Sequence, residues 1–301
     1  MAADPCIIYV PGMRPKPEPE VHREALLRCI LEGVRRKDAA VAASIEANSD
    51  AFQIVSWTFA FYNQHRDIAL DLPAIEGVLQ QQDATVQDIV DAHALKRRLL
   101  RALYRAADNL PFLIPHFANE KMELHLRDLR RYVSNTNDVA ELTRLMLKNP
   151  LLRAAEAGRP ILLLAHSMGT VIAWETLWQL SRMSADDVPV DLLVTMGSPL
   201  GQRYIQKRLL GHTIENERRY PDNIRRWVNI SAVGELTALD YELANDFAPM
   251  LRDGVVEEIR DLSIYNYYRE DGQLNAHAEY GYLVNKATAS TICDWWRSYC
   301  E

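Results

Sequence analysis

Residues 159–174 read RPILLLAHSMGTVIAW, and the way this stretch must bend decides the fold. Ile161, Leu162, Leu163 and Leu164 form a short apolar run of the kind expected of a strand buried on both faces. Thr170, Val171 and Ile172 then open a helix, and Ala165-His166-Ser167-Met168-Gly169 lies between the two. Small residues two before and two after a serine are what a sharp strand-to-helix turn requires. Larger side chains there would collide with the backbone of a neighbouring strand or helix. Such a turn strains the serine backbone and lifts its hydroxyl above the sheet. Amides at the start of the helix point at the same spot and favour a developing negative charge. Ser167 is therefore the candidate nucleophile.

Outward from this turn, short apolar runs alternate with helix-patterned stretches, which predicts an α/β fold. Its mostly parallel central sheet has about six strands, with helices on both faces. The strands are expected at 6–10 (ended by Pro11-Gly12), 52–59 (FQIVSWTF), 160–165, 190–196, 226–232 and 256–265. Ala25, Leu26, Cys29, Ile30 and Val34 share one helix face. A crossover helix is expected over 138–157, ended by Gly158, and a closing helix over 287–299. The proline-rich piece from Pro11 to residue 19 reads as a stiff loop. Between 63 and 132 the strand signals stop. There Asp83 or Thr85 can cap a long helix carrying Val86, Ile89, Val90 and Leu100, and another helical pattern starts near Glu120. A block this long exceeds a plain connection. The chain thus divides into a core, 1–62 and 133–301, and a helical cap insertion, 63–132.

Composition bounds the partners. The formal charge is −7, and the basic residues are mixed with acids, so no nucleic-acid partner is expected. The densest basic stretch, Arg97 and Arg98 through Arg105, reads as the solvated face of a helix. Cys6, Cys29, Cys293 and Cys300 show neither Cys-x-x-Cys nor metal-ligand spacing. The first residues, MAADPCIIYV, lack a basic region followed by a long apolar run. A reducing, cytoplasmic setting with free thiols is the expectation. No apolar run approaches the roughly 18 residues of a membrane span, and no transmembrane segment is expected.

The strand–turn–helix around Ser167 resembles the nucleophile elbow of the α/β-hydrolase superfamily, with Ala165 in place of the usual first glycine of Gly-x-Ser-x-Gly. Met196-Gly197-Ser198-Pro199-Leu200 is similar to a turn of its lipase- and acyltransferase-like branches. Against the eight-stranded superfamily sheet, the resemblance leads to an expectation of about six strands, without the first two antiparallel ones. The resemblance implies a triad in the order serine, acid, histidine. His212 falls too early for that order, whereas His277, in the polar loop Asn275-Ala276-His277-Ala278-Glu279-Tyr280, follows the last strand and suits the general base. His166 is read as packing beside the elbow. The acid should lie in the turn after the 226–232 strand. Glu235 matches that position but is one methylene longer than the usual aspartate, while Asp240 has the commoner chemistry but lies further along. Both stay open, Glu235 preferred on position, with Asp222 and Asp246 as outsiders. Asp240 could equally cap a helix begun by Tyr241. By the same resemblance, the Met13 and Met168 amides form the oxyanion hole, with Pro11-Gly12 in place of the usual His-Gly.

The resemblance implies a serine hydrolase cleaving carboxylic esters through an acyl-enzyme, with no metal or organic cofactor. Its substrate would be a small-molecule ester with an apolar acyl group, held under the cap by residues such as Phe112, Phe117 and Met122. The same groups could serve a thioesterase, amidase or acyltransferase. A binding protein of this fold that has lost the acid or base is the alternative of another class.

Overall fold

Six parallel strands form the centre of the molecule: β1 (Cys6–Val10), β2 (Phe52–Ile54), β3 (Ile161–His166), β4 (Val190–Met196), β5 (Ile224–Ala232) and β6 (Glu258–Ile264). They lie in the order β2-β1-β3-β4-β5-β6. The computed structural model describes residues 4–95, 97–102, 120–184, 186–238 and 240–300. Both faces of the sheet are covered, so its central strands are apolar throughout rather than alternating. Ile7 and Tyr9 of β1 and Leu162 and Leu164 of β3 join a core with the helices Pro19–Lys37 and Lys286–Cys300. Cys6, Ile8, Val10, Ile161, Leu163 and Ala165 point the other way, into a second core with the helices Val139–Glu156 and Met168–Met183. The sheet is thus the six-stranded, helix-flanked one expected, and every pairing in it is parallel.

The strand expected at 52–59 is cut short. β2 ends at Ile54, and Trp57–Tyr62 is a helix with Trp57 and Phe61 buried on one side. β-branched and aromatic residues in a short run suit a strand or a buried helical turn equally. The outcome is settled by a remote partner, because the Trp57 indole N–H donates to the Pro11 carbonyl at 2.9 Å.

Thr85 does cap a helix, with a reciprocal box: its Oγ1 accepts the Asp88 N–H at 3.2 Å and the Asp88 carboxylate accepts the Thr85 N–H at 2.8 Å. That helix spans only Val86–Ala92, and Val86 and Val90 are exposed, so their spacing does not mark a face buried in the described part of the molecule. Asp83 instead pairs with Lys286. The described elements between 63 and 132 are helical, but Leu72–Gln80 places Ile75 and Val78 in the first core rather than leaving them to a separate cap. Glu120–Val133 is a helix, as its pattern suggested. Phe112, Phe117 and the Met122 side chain lie outside the described residues.

Candidate active site

The strand order reverses direction between β1 and β3. The chain runs from β1 to β2 on one side, then returns to lay β3 and its successors on the other. In open parallel sheets the crevice beyond the carboxyl ends of the strands at such a point is where ligands bind. The Pro11-Gly12 turn leaves β1 there and Ser167 leaves β3. The two touch, since a Cβ on Gly12 would stand 2.8 Å from Ser167 Cβ.

Ser167 has φ 53° and ψ −125°, a backbone conformation that side chains rarely adopt. Its N–H is held by the Met196 carbonyl at 2.9 Å, and the helix Met168–Met183 starts at the next residue. Gly169 shows why the small residue is needed. A Cβ there would come within 2.3 Å of the Val10 carbonyl oxygen and 2.7 Å of that of Pro11. Those are backbone atoms at the end of β1 and cannot swing aside. Gly169→Ala should therefore cost about 3 kcal/mol or more of stability despite alanine's better helix propensity. Urea unfolding measures it, and a loss below about 1 kcal/mol would contradict the tight packing.

Two distant segments meet this serine. His277, between the Gln273–Leu274 strand and the Glu279–Val284 helix, places Nε2 2.8 Å from Ser167 Oγ. Its Nδ1 is 2.5 Å from Glu235 Oε1. Glu235 is 1 % exposed and sits in the turn after β5. Its Oε1 also accepts the Ala238 N–H at 3.3 Å, and its Oε2 accepts the hydroxyl proton of Tyr282. Tyr282 Oη in turn accepts the Ala232 N–H at 2.9 Å, so the extra methylene of a glutamate is held in place from behind. Gly197 makes room for the pair. At φ +56°, a Cβ on it would lie 2.8 Å from Glu235 Oε1 and 3.0 Å from His277 Nδ1. This is the turn of Gly197-Ser198-Pro199, and Ser198 Oγ is bonded to Thr170 Oγ1 at 2.9 Å rather than to Ser167, His277 or Glu235.

Asp240 is placed elsewhere. Its Oδ1 accepts the Glu242 N–H at 3.0 Å, and it makes no hydrogen bond to His277. Nor does it cap a helix begun by Tyr241: the helix is Leu243–Asp246, and Asp261 accepts its first two amides at 3.0 and 2.9 Å. Asp222 pairs with Arg182. Asp246 accepts from Gln206, and burial, reinforced by nearby Asp240, raises its pKa to about 6.

Met168 is the first residue of the elbow helix and Met13 follows Gly12. Neither amide donates a hydrogen bond among the described residues. The peptide groups beside Met13 are fixed on both sides, by Trp57 on the Pro11 carbonyl and by the Arg14 N–H on Tyr62 Oη at 3.2 Å. Arg14 itself takes φ +80°. The structure thus brings Ser167, His277 and Glu235 together, sets the Gly12-Met13 turn beside them, and leaves Asp240 out.

His166 does more than pack. It ends β3, and its Nε2 lies 2.9 Å from the His277 carbonyl. Burial, reinforced by the charge that His277 can carry, holds its pKa well below the ordinary value of 6.5. Stability rises with pH wherever the unfolded chain binds more protons than the folded one. Unfolded His166 gains a proton as the pH falls through its ordinary value, and the buried ring does not. Wild type should thus lose about 1 kcal/mol more than His166→Gln on going from about pH 7.5 to 5.5. Urea unfolding at both pH values checks this, and equal losses in the two proteins would contradict it.

Some residues at the site carry no signal in the sequence. Two members of the basic stretch are not simply solvated, while Arg98 is exposed and Arg105 lies outside the described residues: Arg97 donates to the carbonyls of Gly234 and Leu274. Arg101 donates to the Glu235 carbonyl at 3.1 Å and covers the Tyr241 ring at 3.5 Å. Tyr282 stands five residues beyond His277 on a buried helix, where a tyrosine reads as ordinary core. A cavity of about 460 Å³ lined by Ser184, Asp186, Asp222 and Glu257 opens at the opposite, amino-terminal edge of the sheet.

The four cysteines are free thiols. Among the described residues no helix is long and apolar enough to cross a membrane, and no group of three or more His, Cys, Asp or Glu could hold a metal ion. No protein-family model, curated protein or solved structure matches the chain.

Proposed function

We propose that this chain is a serine hydrolase of carboxylic esters, of the α/β-hydrolase type. One observation carries the reading: a single imidazole, His277, stands 2.8 Å from a strained serine hydroxyl and 2.5 Å from a buried carboxylate. A serine is a poor nucleophile at neutral pH unless a base takes its proton. In the proposed cycle Ser167 Oγ attacks the acyl carbon while its proton passes to His277 Nε2. Glu235 keeps the other ring nitrogen protonated and stabilises the imidazolium. The Met13 and Met168 amides receive the oxyanion, each worth about 100- to 1,000-fold in turnover. The C–O bond breaks as His277 returns the proton to the departing alcohol, leaving the acyl group on Ser167. Water, deprotonated by the same imidazole, then attacks the acyl carbon, and His277 passes the proton to Ser167 Oγ as the acyl C–O bond to the serine breaks and the acid leaves.

These steps call for no metal or organic cofactor. The substrate class is a small ester with an apolar acyl group, and the free thiols suit a reducing cytoplasm. The test is hydrolysis of p-nitrophenyl esters of graded acyl length, together with covalent labelling by a fluorophosphonate. Absence of both would overturn the reading.

A further inference from the structure

Glu279 lies two residues past His277, is 5 % exposed, and belongs to no step of the proposed cycle. Burying a carboxylate costs several kcal/mol of lost hydration, and an apolar residue of similar volume often serves stability as well or better. The charge therefore calls for a reason other than holding the fold. Its two oxygens are fully engaged. Oε1 accepts Lys16 Nζ at 2.7 Å and stands 3.1 Å from His22 Nε2, while Oε2 accepts the Tyr9 hydroxyl at 2.8 Å. His166 Nδ1 is 3.9 Å from the same oxygen, too far for a hydrogen bond. Burial by itself would raise the pKa of Glu279, but Lys16 and His22 outweigh it and hold the carboxyl well below its usual range.

What these partners share is position. Tyr9 stands on β1 just before the Pro11-Gly12 turn, Lys16 on the loop after Met13, and His22 on the helix that follows. Glu279 opens the helix that follows His277. From the other side, His166, immediately before the serine, holds the His277 carbonyl. We infer that Glu279 and Lys16 are positioning residues. Their part-buried ion pair ties the segment carrying the Met13 amide to the segment carrying His277, so that oxyanion donor and general base keep one spacing around Ser167. The inference rests on the hydrolase reading.

The test compares wild type with Glu279→Gln, Lys16→Met and the double variant, each titrated for active sites. A misplacement of about 1 Å costs up to about 100-fold, so kcat per titrated site should fall about 10- to 100-fold in each single variant with KM within about threefold. The double variant should be no slower than the slower single, because both remove one linkage. Partial unfolding would lower the number of titrated sites and leave kcat per site unchanged. A second readout needs no turnover: the far-downfield proton of His277 Nδ1–H, assigned by its loss in His277→Ala, should shift or broaden in Glu279→Gln. If that variant does not fold, Lys16→Met carries the same expectations. Single variants within about twofold of wild type per site, with the proton line unmoved, would overturn the inference. Wild type inactive on every ester would instead overturn the hydrolase reading. The proton line would then decide the linkage alone, and an unmoved line would overturn it.

Discussion

Replacing Ser167 with alanine should abolish ester hydrolysis, lowering kcat by about 10⁵- to 10⁶-fold. The effect is expected to be this large because the hydroxyl is the only protein group in the proposed cycle that bonds to the acyl carbon. Any residual rate would come from an oxyanion hole acting on water, which supplies only about 10³- to 10⁴-fold over the uncatalysed reaction. The fold should be little affected. Ser167 is N-cap of its helix by backbone position, but its side chain makes no capping bond, and its hydroxyl is bonded to His277. The unusual φ of 53° is a strain alanine shares. The thermal midpoint should accordingly stay close to that of wild type. Fluorophosphonate should label wild type and leave the variant unmodified. A Ser167→Ala protein that still turns over p-nitrophenyl esters at the wild-type rate would remove the nucleophile, and the mechanism with it.

The second large effect separates the two carboxylates. Glu235→Gln keeps the size and shape of the side chain but loses the charge that the imidazolium needs during proton transfer and turns one acceptor oxygen into a donor; kcat should drop by about 10⁴-fold. The glutamate is dry, and its Oε1 is shared between His277 and the Ala238 amide while Oε2 takes the Tyr282 hydroxyl. An uncharged amide there leaves the charged ring without a counter-charge where water cannot substitute for it. Asp240→Asn should stay within about twofold of wild type, since its carboxylate serves the local Glu242 amide. The measurement is kcat for both variants on the same ester, with a circular dichroism spectrum to confirm folding. A large loss in Asp240→Asn beside a near-normal Glu235→Gln would reverse the assignment.

Both predictions depend on features of unequal legibility. The elbow could be read because its requirements are local. A buried strand, a small residue on each side of the serine and a helix start all fall within residues 161–172. The sheet could be read for a similar reason, since strands buried on both faces must be apolar along their length, and β3 and β4 lie within a residue of where their runs place them. The run at 52–59 misled because its composition serves two structures, and the choice fell to an indole reaching a carbonyl 46 positions away. Arg97 and Arg101 misled likewise. Spacing makes them one face of a helix, but the carbonyls they reach are more than 130 positions distant.

The sequence by itself determined the parallel α/β sheet and the bend at Ser167, because steric limits on a strand-turn-helix and the burial of apolar runs act over neighbouring residues; the candidacy of His277 came from the chain order that the resemblance implies. Only the tertiary structure shows that Glu235, and not Asp240, lies against His277, and it alone exposed Tyr282 and the Glu279–Lys16 pair. A carboxylate five residues nearer or further along a turn is chemically the same group. Which one meets the imidazole depends on how β5 and the segment before the last helices are packed against each other. It depends too on a missing Cβ at Gly197 that leaves the gap in which they touch.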